Sequence, residues 1–323
     1  LRTSNQQLSS DSILDIGKVM RLTEPAAESE QELPRLTSLS PAGGCGCKLD
    51  PARLGTLLEA LSSGMPSGTA GSSLDDAAVF RHTGSTALLY TIDFFTPLVD
   101  DPADWGAIAA AHALSDIYAM GGKPLLALSV AAWTRDDLPL QQLSLALQAA
   151  QAKLAEAGAV LAGGHTIWDQ SPKLGFTVIG EVDESSVLRK SGGRDGDLLV
   201  LTKPLGSGVV CSALKHSEAP EETVRSAVAV MTALNAEAAA AAVELELSCA
   251  TDVTGFGLAG HLRDLTTASD LAAILSLGAI PAIEGALDLV PNHLTSNAAA
   301  NRHHANPRFT AAANPEDPRA ELL

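Results

Sequence analysis

The amino-acid sequence predicts an α+β protein built as two domains. Strand-like runs, the first pair in a hairpin pattern, interleave with amphipathic helices that open on Asp-Pro. At 323 residues the chain is long enough for two proper cores. Around 185–196 it turns polar and glycine-rich, which places a domain boundary there. With 46% apolar but only 3% aromatic residues, those cores are expected to be aliphatic and small-residue.

Residues 1–36 are polar and acidic with little periodicity, and read as a disordered extension. Residues 37–64 hold the glycine-rich arm GGCGCK at 43–48 and a short helix, with Asp50 as N-cap and Pro51 at its first position. Leu54, Leu57, Leu58 and Leu61 share one face of that helix. A Gly/Ser/Pro loop at 64–73 leads to Asp75 and Asp76. The runs at 77–80 and 86–92, split by Thr83, Gly84 and Ser85, form a hairpin that delivers Asp93 at the end of its second strand. Asp101 and Pro102 start a helix to about Met120, closed by Gly121 and Gly122. His112 and Asp116 lie among its small apolar residues. A strand at 125–132, a helix at 138–157, a strand at 159–162, a Gly163-Gly164 turn and a strand at 174–182 complete the first α+β domain, 65–184. The second, 185–323, is expected to have a strand at 197–202, a helix to about His216, one alanine-rich helix at 221–244 and a helix at 258–265.

The net charge of −17 excludes a general nucleic-acid binder, which needs basic patches. It suits a protein that meets phosphates through Mg²⁺ held by carboxylates. Four cysteines give no disulfide framework, so a reducing cytoplasm is expected. No apolar run reaches membrane-spanning length. In GGCGCK, glycine lets the backbone approach a ligand, and Lys48 near Cys45 and Cys47 favours a thiolate. The same C-x-C supports two further readings, half a metal site or incidental cysteines. Asp75, Asp76, Asp93 and Asp116 supply hard oxygen donors of the kind Mg²⁺ prefers. The Gly164, His165, Thr166 turn offers backbone amides to a phosphate. The stretch ATDVTGFG at 250–257 puts Asp252 just ahead of a helix, either as part of an ordinary capped turn or as a second-domain carboxylate completing a metal site across a cleft.

These residues carry a resemblance to the selenophosphate synthetases (selenide, water dikinases). The matching segments are GCGCK at 44–48, DDAAVF at 75–80, TIDFFTPLVDDP at 91–102, SDIYAMGGKP at 115–124, LAGGHT at 161–166, LTKPLG at 201–206 and TDVTGFGLAGHL at 251–262. They occur in family order from about Leu36 onward. The resemblance implies the two-domain architecture of the aminoimidazole ribonucleotide synthetases. In it, the first domain binds ATP and metal and forms a homodimer through its strands. The implied reaction turns ATP, selenide and water into selenophosphate, AMP and orthophosphate. Cys45 matches the catalytic position and Lys48 the lysine that acts with it on ATP. Asp76, Asp116 and Asp252 match metal-binding aspartates, with Mg²⁺ as the metal. Asp93 matches a nucleotide-site aspartate, and Asp116 is also expected beside the nucleotide. Ser73, Leu74 and Asp75, together with Gly164, His165 and Thr166, match nucleotide-contacting segments. Selenium is expected to arrive as selenide or from a delivery protein.

The chain stops at Leu323, where the resemblance implies a DPQTSGGLL motif and closing strands. The second domain is therefore expected to be incomplete, and this form poorly stable or weakly active. Two other functions fit the pattern: another ATP-dependent enzyme of the same architecture, and a nucleotide-binding paralogue without turnover.

Overall fold

The computed structural model describes residues 33–41, 75–134, 138–294, 298, 301 and 317–322. The expectations for residues 1–32, the GGCGCK arm, the helix after Asp50, Ser73 and Leu74 lie outside the described residues.

The first half is a five-stranded sheet with helices on one face. Strands β1 (Ala78–Thr83) and β2 (Thr86–Phe95) form the expected hairpin, with Gly84 at φ +60° in its turn. Helix α1 (Pro102–Ala119) then leads to β3 (Lys123–Trp133), helix α2 (Leu140–Glu156), β4 (Val160–Trp168) and β5 (Lys173–Asp183). The order is β1-β2-β5-β3-β4. All neighbours are antiparallel except β3 and β4, which are joined through α2 as a parallel pair needs a crossover.

Side chains alternate across a strand, and β2 follows this rule. Ala87, Leu89, Thr91, Asp93 and Phe95 point into the core, while Tyr90, Ile92 and Phe94 face outward. Asp93 thus sits on a buried face that is otherwise largely apolar. Against that face lies α1, started by the Asp101 side chain accepting from the Asp104 amide at 2.9 Å, with Pro102 at its first position. Nearly every residue from Trp105 to Ala119 is buried, so α1 is the central helix and its small residues permit close packing. A Cβ on Gly106 would stand 1.9 Å from the Ala146 carbonyl oxygen, so α1 and α2 touch backbone to backbone. Trp105 and Trp133 stack beneath them.

The described residues ahead of the arm form a 3-10 turn, Leu36–Leu39. Leu36 enters the core, and Asp100 accepts from Arg35, the Thr37 amide and the Thr37 hydroxyl.

The second half contributes α3 (Ser207–Lys215), α4 (Glu221–Thr232), α5 (Ala236–Glu244), α6 (Gly257–Ser269) and the short α7 (Ala286–Leu289). Val228, Met231, Leu234, Ala236 and Ala239 pack against the core of the first half. The two halves therefore share apolar surface.

Four expectations are corrected. The alanine-rich stretch 221–244 is two helices bent by 44°. Ala233 is extended, its carbonyl accepts from Lys203, and Asn235 donates to Ser115 of α1 at 3.0 Å. These tertiary contacts override helix propensity at the break. Residues 197–202 are not a strand: Leu198, Leu199 and Val200 are exposed, and no strand among the described residues pairs with them. An apolar run without a ladder has no hydrogen-bonding reason to be a strand. Gly163-Gly164 is not a turn but a bulge inside β4, where Gly163 has φ +145° and the register with β3 shifts. A Cβ on Gly164 would meet Ser129 Oγ at 1.9 Å, so the close strand approach requires glycine. The helix expected at 258–265 runs on to Ser269, where Asp270 ends it in the left-handed conformation at φ +54°. No single helix among the described residues is long and apolar enough to cross a membrane.

Candidate active site

Three elements bring three carboxylates together. Asp76 precedes β1, Asp116 lies in the last turn of α1, and Asp252 sits in the loop before α6. One oxygen from each falls within 4.8 Å of the others. Asp116 is on the α1 face toward β2, where Thr91 donates to its Oδ2 at 2.5 Å. Asp93, two residues on and on the same face as Thr91, lies close enough for its charge to act on Asp116. His112 Nε2, one helical turn before Asp116, stands 3.2 Å from Asp93 Oδ2. The Asp252 loop is shaped from within: His261 Nε2 accepts from the Thr254 amide at 3.1 Å, and Thr251 Oγ1 donates to Asp76 Oδ1 at 3.2 Å.

The cluster is costly as it stands. Burial pushes the Asp76 carboxyl up to about 7, with the Asp252 charge adding to this and Lys190 opposing it. Burial, then Asp252 and Asp93, raises Asp116 well above the ordinary carboxylate range. Asp76 Oδ2 and Asp252 Oδ2 are buried without a hydrogen-bond partner. Buried polar oxygens normally have partners. Hard carboxylate oxygens that converge with open lone pairs fit a divalent cation such as Mg²⁺.

Of the residues singled out in the sequence, Asp76, Asp116 and Asp252 thus converge, and Asp93 stands near enough to Asp116 for its charge to act on it. Asp75 is adjacent, its Oδ2 3.0 Å from Arg189 Nη1 and its Oδ1 accepting from the Lys190 amide at 3.3 Å. Gly164, His165 and Thr166 lie on the exposed strand β4, in register with Ser129, Val130 and Ala131. Cys45, Lys48, Ser73 and Leu74 lie outside the described residues. The sequence reading missed Thr91, Arg189 and Lys190 and gave His112 no role. Thr91 was within reach, because it shares a strand face with Asp93. Nothing in the pair Arg189-Lys190, at the edge of a polar linker, marks it as part of a site.

The family described as AIR synthase related protein, N-terminal domain, matches residues 74–182, and its C-terminal domain counterpart matches residues 194–298. The selenide, water dikinase of Myxococcus xanthus (strain DK1622) is 45% identical over 262 residues, covering 80% of this chain and 74% of its own. The chain belongs to the selenide, water dikinase family. The selenide, water dikinase of Carboxydothermus hydrogenoformans is 43% identical over 257 residues, covering 79% of this chain and 74% of its own. Among solved structures, thiamine monophosphate kinase from Aquifex aeolicus superposes with a TM-score of 0.61 at 16% identity, covering 85% of each chain. The hydrogenase maturation protein HypE in complex with ATP gives 0.55 at 18% identity, covering 77% of this chain and 83% of its own. At these identities the two structures speak for the fold alone. The α+β, aminoimidazole ribonucleotide synthetase-type architecture expected of a selenide, water dikinase is the one observed.

The raised carboxyls set a pH dependence. Both Asp76 and Asp116 titrate higher in the folded chain than in the unfolded one, so between about pH 4 and about 7 the metal-free folded state holds more protons. This contribution to stability falls as pH rises through that window. A divalent cation held by the ionised carboxylates would offset the loss. Thermal melts at about pH 5 and about pH 7.5, in EDTA and in excess Mg²⁺, check this. The Mg²⁺-induced rise in midpoint is expected to be larger at the higher pH; equal rises would contradict it.

Proposed function

We propose that this chain makes selenophosphate from ATP, selenide and water, releasing AMP and orthophosphate. The observation that carries the reading is the Asp76, Asp116, Asp252 cluster in a chain that also bears GGCGCK at 43–48 and is 45% identical to a selenide, water dikinase. Asp76, Asp116 and Asp252 hold Mg²⁺. Bound there, Mg²⁺ neutralises and orients phosphate oxygens of ATP, which is most of what phosphoryl transfer asks of a protein. Thr91 fixes the Asp116 carboxylate, and His112 fixes Asp93 toward the nucleotide. Ser73, Leu74, Asp75, Gly164, His165 and Thr166 are assigned to nucleotide contact by the family resemblance. The same resemblance assigns Lys48 to the ATP phosphates and Cys45, as a thiolate, to the selenium step. A thiolate at Cys45 suits a reducing compartment, the cytoplasm.

The homodimer is also part of this reading. The outward face of the sheet carries Phe80, Tyr90, Ile92, Phe94, Leu128, Val160 and Ile167, all exposed. A contiguous apolar face spread over four strands is the kind of surface that a protein partner covers, and a second copy of the chain is the occupant we assign to it.

Two measurements test these statements. Phosphorus NMR of the protein with ATP, Mg²⁺ and selenide, under anaerobic conditions, is expected to show selenophosphate and AMP from the wild type and neither from Cys45→Ala. ATP left intact in both would contradict turnover, and ATP consumed equally in both without selenophosphate would point to another ATP-dependent enzyme of the same architecture. Light scattering is expected to give a dimer for the wild type and a folded monomer for the double variant Ile92→Glu, Phe94→Glu. A monomeric wild type would remove the homodimer.

A further inference from the structure

Lys190 is the one buried lysine or arginine among the described residues. Its Nζ lies 2.5 Å from Asp76 Oδ1, and its side chain is only 8% exposed, against 5% for that of Asp76. Its backbone is pinned on both sides. The amide donates to Asp75 Oδ1, and the carbonyl accepts from Ser269 Oγ at 2.9 Å and from Cys249 Sγ at 3.5 Å. Arg189, the residue before it, donates from its amide to Ser248 and accepts at its carbonyl from Ala250, forming a parallel bridge with Cys249. Its side chain meets Asp75. The ammonium is therefore delivered to the carboxylates by a segment tied to both halves of the chain. Lysine loses considerable side-chain entropy when fixed, and a buried ammonium needs close partners.

The two oxygens of Asp76 divide the work. Oδ1 is taken by Lys190 and Thr251, Oδ2 is buried with no hydrogen-bond partner, and one Asp76 oxygen converges with Asp116 and Asp252. We propose that Lys190 is a built-in counter-charge of the divalent-cation site. It lowers the formal charge of the three-carboxylate cluster from three negative to two, the charge that one divalent ion neutralises. This inference rests on the metal reading given above.

A fixed ammonium beside a cation site does two things with opposite signs. It stabilises the site when metal is absent, and it repels the metal when it arrives. Removing the charge without the chain length therefore makes the metal-free protein less stable and the metal tighter. A lysine that only filled space would do neither in a charge-dependent way.

The test is Mn²⁺ binding to the full chain without nucleotide, followed by the loss of the free Mn²⁺ signal in electron paramagnetic resonance. Beside it, thermal midpoints are read in EDTA and in excess Mn²⁺. Lys190→Met is expected to bind Mn²⁺ tighter by about tenfold or more, to melt below wild type in EDTA, and to gain more from Mn²⁺ than wild type does. Lys190→Arg, which keeps the charge, is expected to stay within about threefold of the wild-type affinity. Should Lys190→Met fail to fold, Lys190→Gln keeps a hydrogen-bonding group without the charge and carries the same expectation. Wild-type binding with equal or weaker affinity in the neutral variant would overturn the role of Lys190 and leave the metal site standing. Absence of Mn²⁺ binding in the wild type would overturn both.

Discussion

Three carboxylates with oxygens within 4.8 Å of one another, in a largely dry setting, cannot all stay ionised unless something positive lies among them. Much of the architecture around the site is arranged to hold the three in place. Asp116 is carried on the most deeply buried helix, α1, whose position is locked by backbone contact with α2 at Gly106 and by the stacked Trp105 and Trp133. Asp76 is held through Lys190 and Thr251, and neighbouring Asp75 through Arg189. Asp252 stands in a loop that His261 braces from the helix it precedes. A carboxylate on a mobile loop would swing into water; these are denied that escape.

The second consequence is that the site belongs to neither half alone. Asp76, Asp93 and Asp116 come from the first half, and Lys190 and Asp252 from the linker and the second. The surface shared by α1, α4 and α5, with Asn235 donating to Ser115, keeps the two sides in register. The corrected break at 233–235 is part of this arrangement, because it is the contact with α1 that interrupts the alanine-rich helix. Local preference gives way where the seam has to close.

How much of this the sequence discloses depends on whether the signal is local. The β1-β2 hairpin was legible from a glycine turn between two apolar runs, and α1 from Asp101 and Pro102 at its start. The Asp set of the first half was legible as chemistry, and Asp252 as one of two readings of a capped turn. That Asp252 meets Asp76 and Asp116 depends on a contact between distant segments that no periodicity encodes. Lys190 was illegible for the same reason: a basic pair beside a glycine-rich linker is ordinarily solvated, and only the fold turns it inward. Residues 197–202 show the opposite failure. Their apolar pattern satisfies a strand template, yet a strand exists only where a neighbour supplies the ladder, and none of the described residues does so. The bulge at Gly163 likewise depends on pairing with β3, so its two glycines read locally as a turn.

A divalent cation held by Asp76, Asp116 and Asp252 would be bound jointly by the two halves of the chain. The most direct measurement is Mn²⁺ binding by the wild type and by Asp252→Asn, with circular dichroism to show that both are folded. Asp252→Asn keeps the shape and removes one charge from the second half only. The account predicts that Mn²⁺ affinity falls by at least about tenfold while the fold persists. Undiminished affinity in the folded variant would contradict it, and would confine any metal to the carboxylates of the first half.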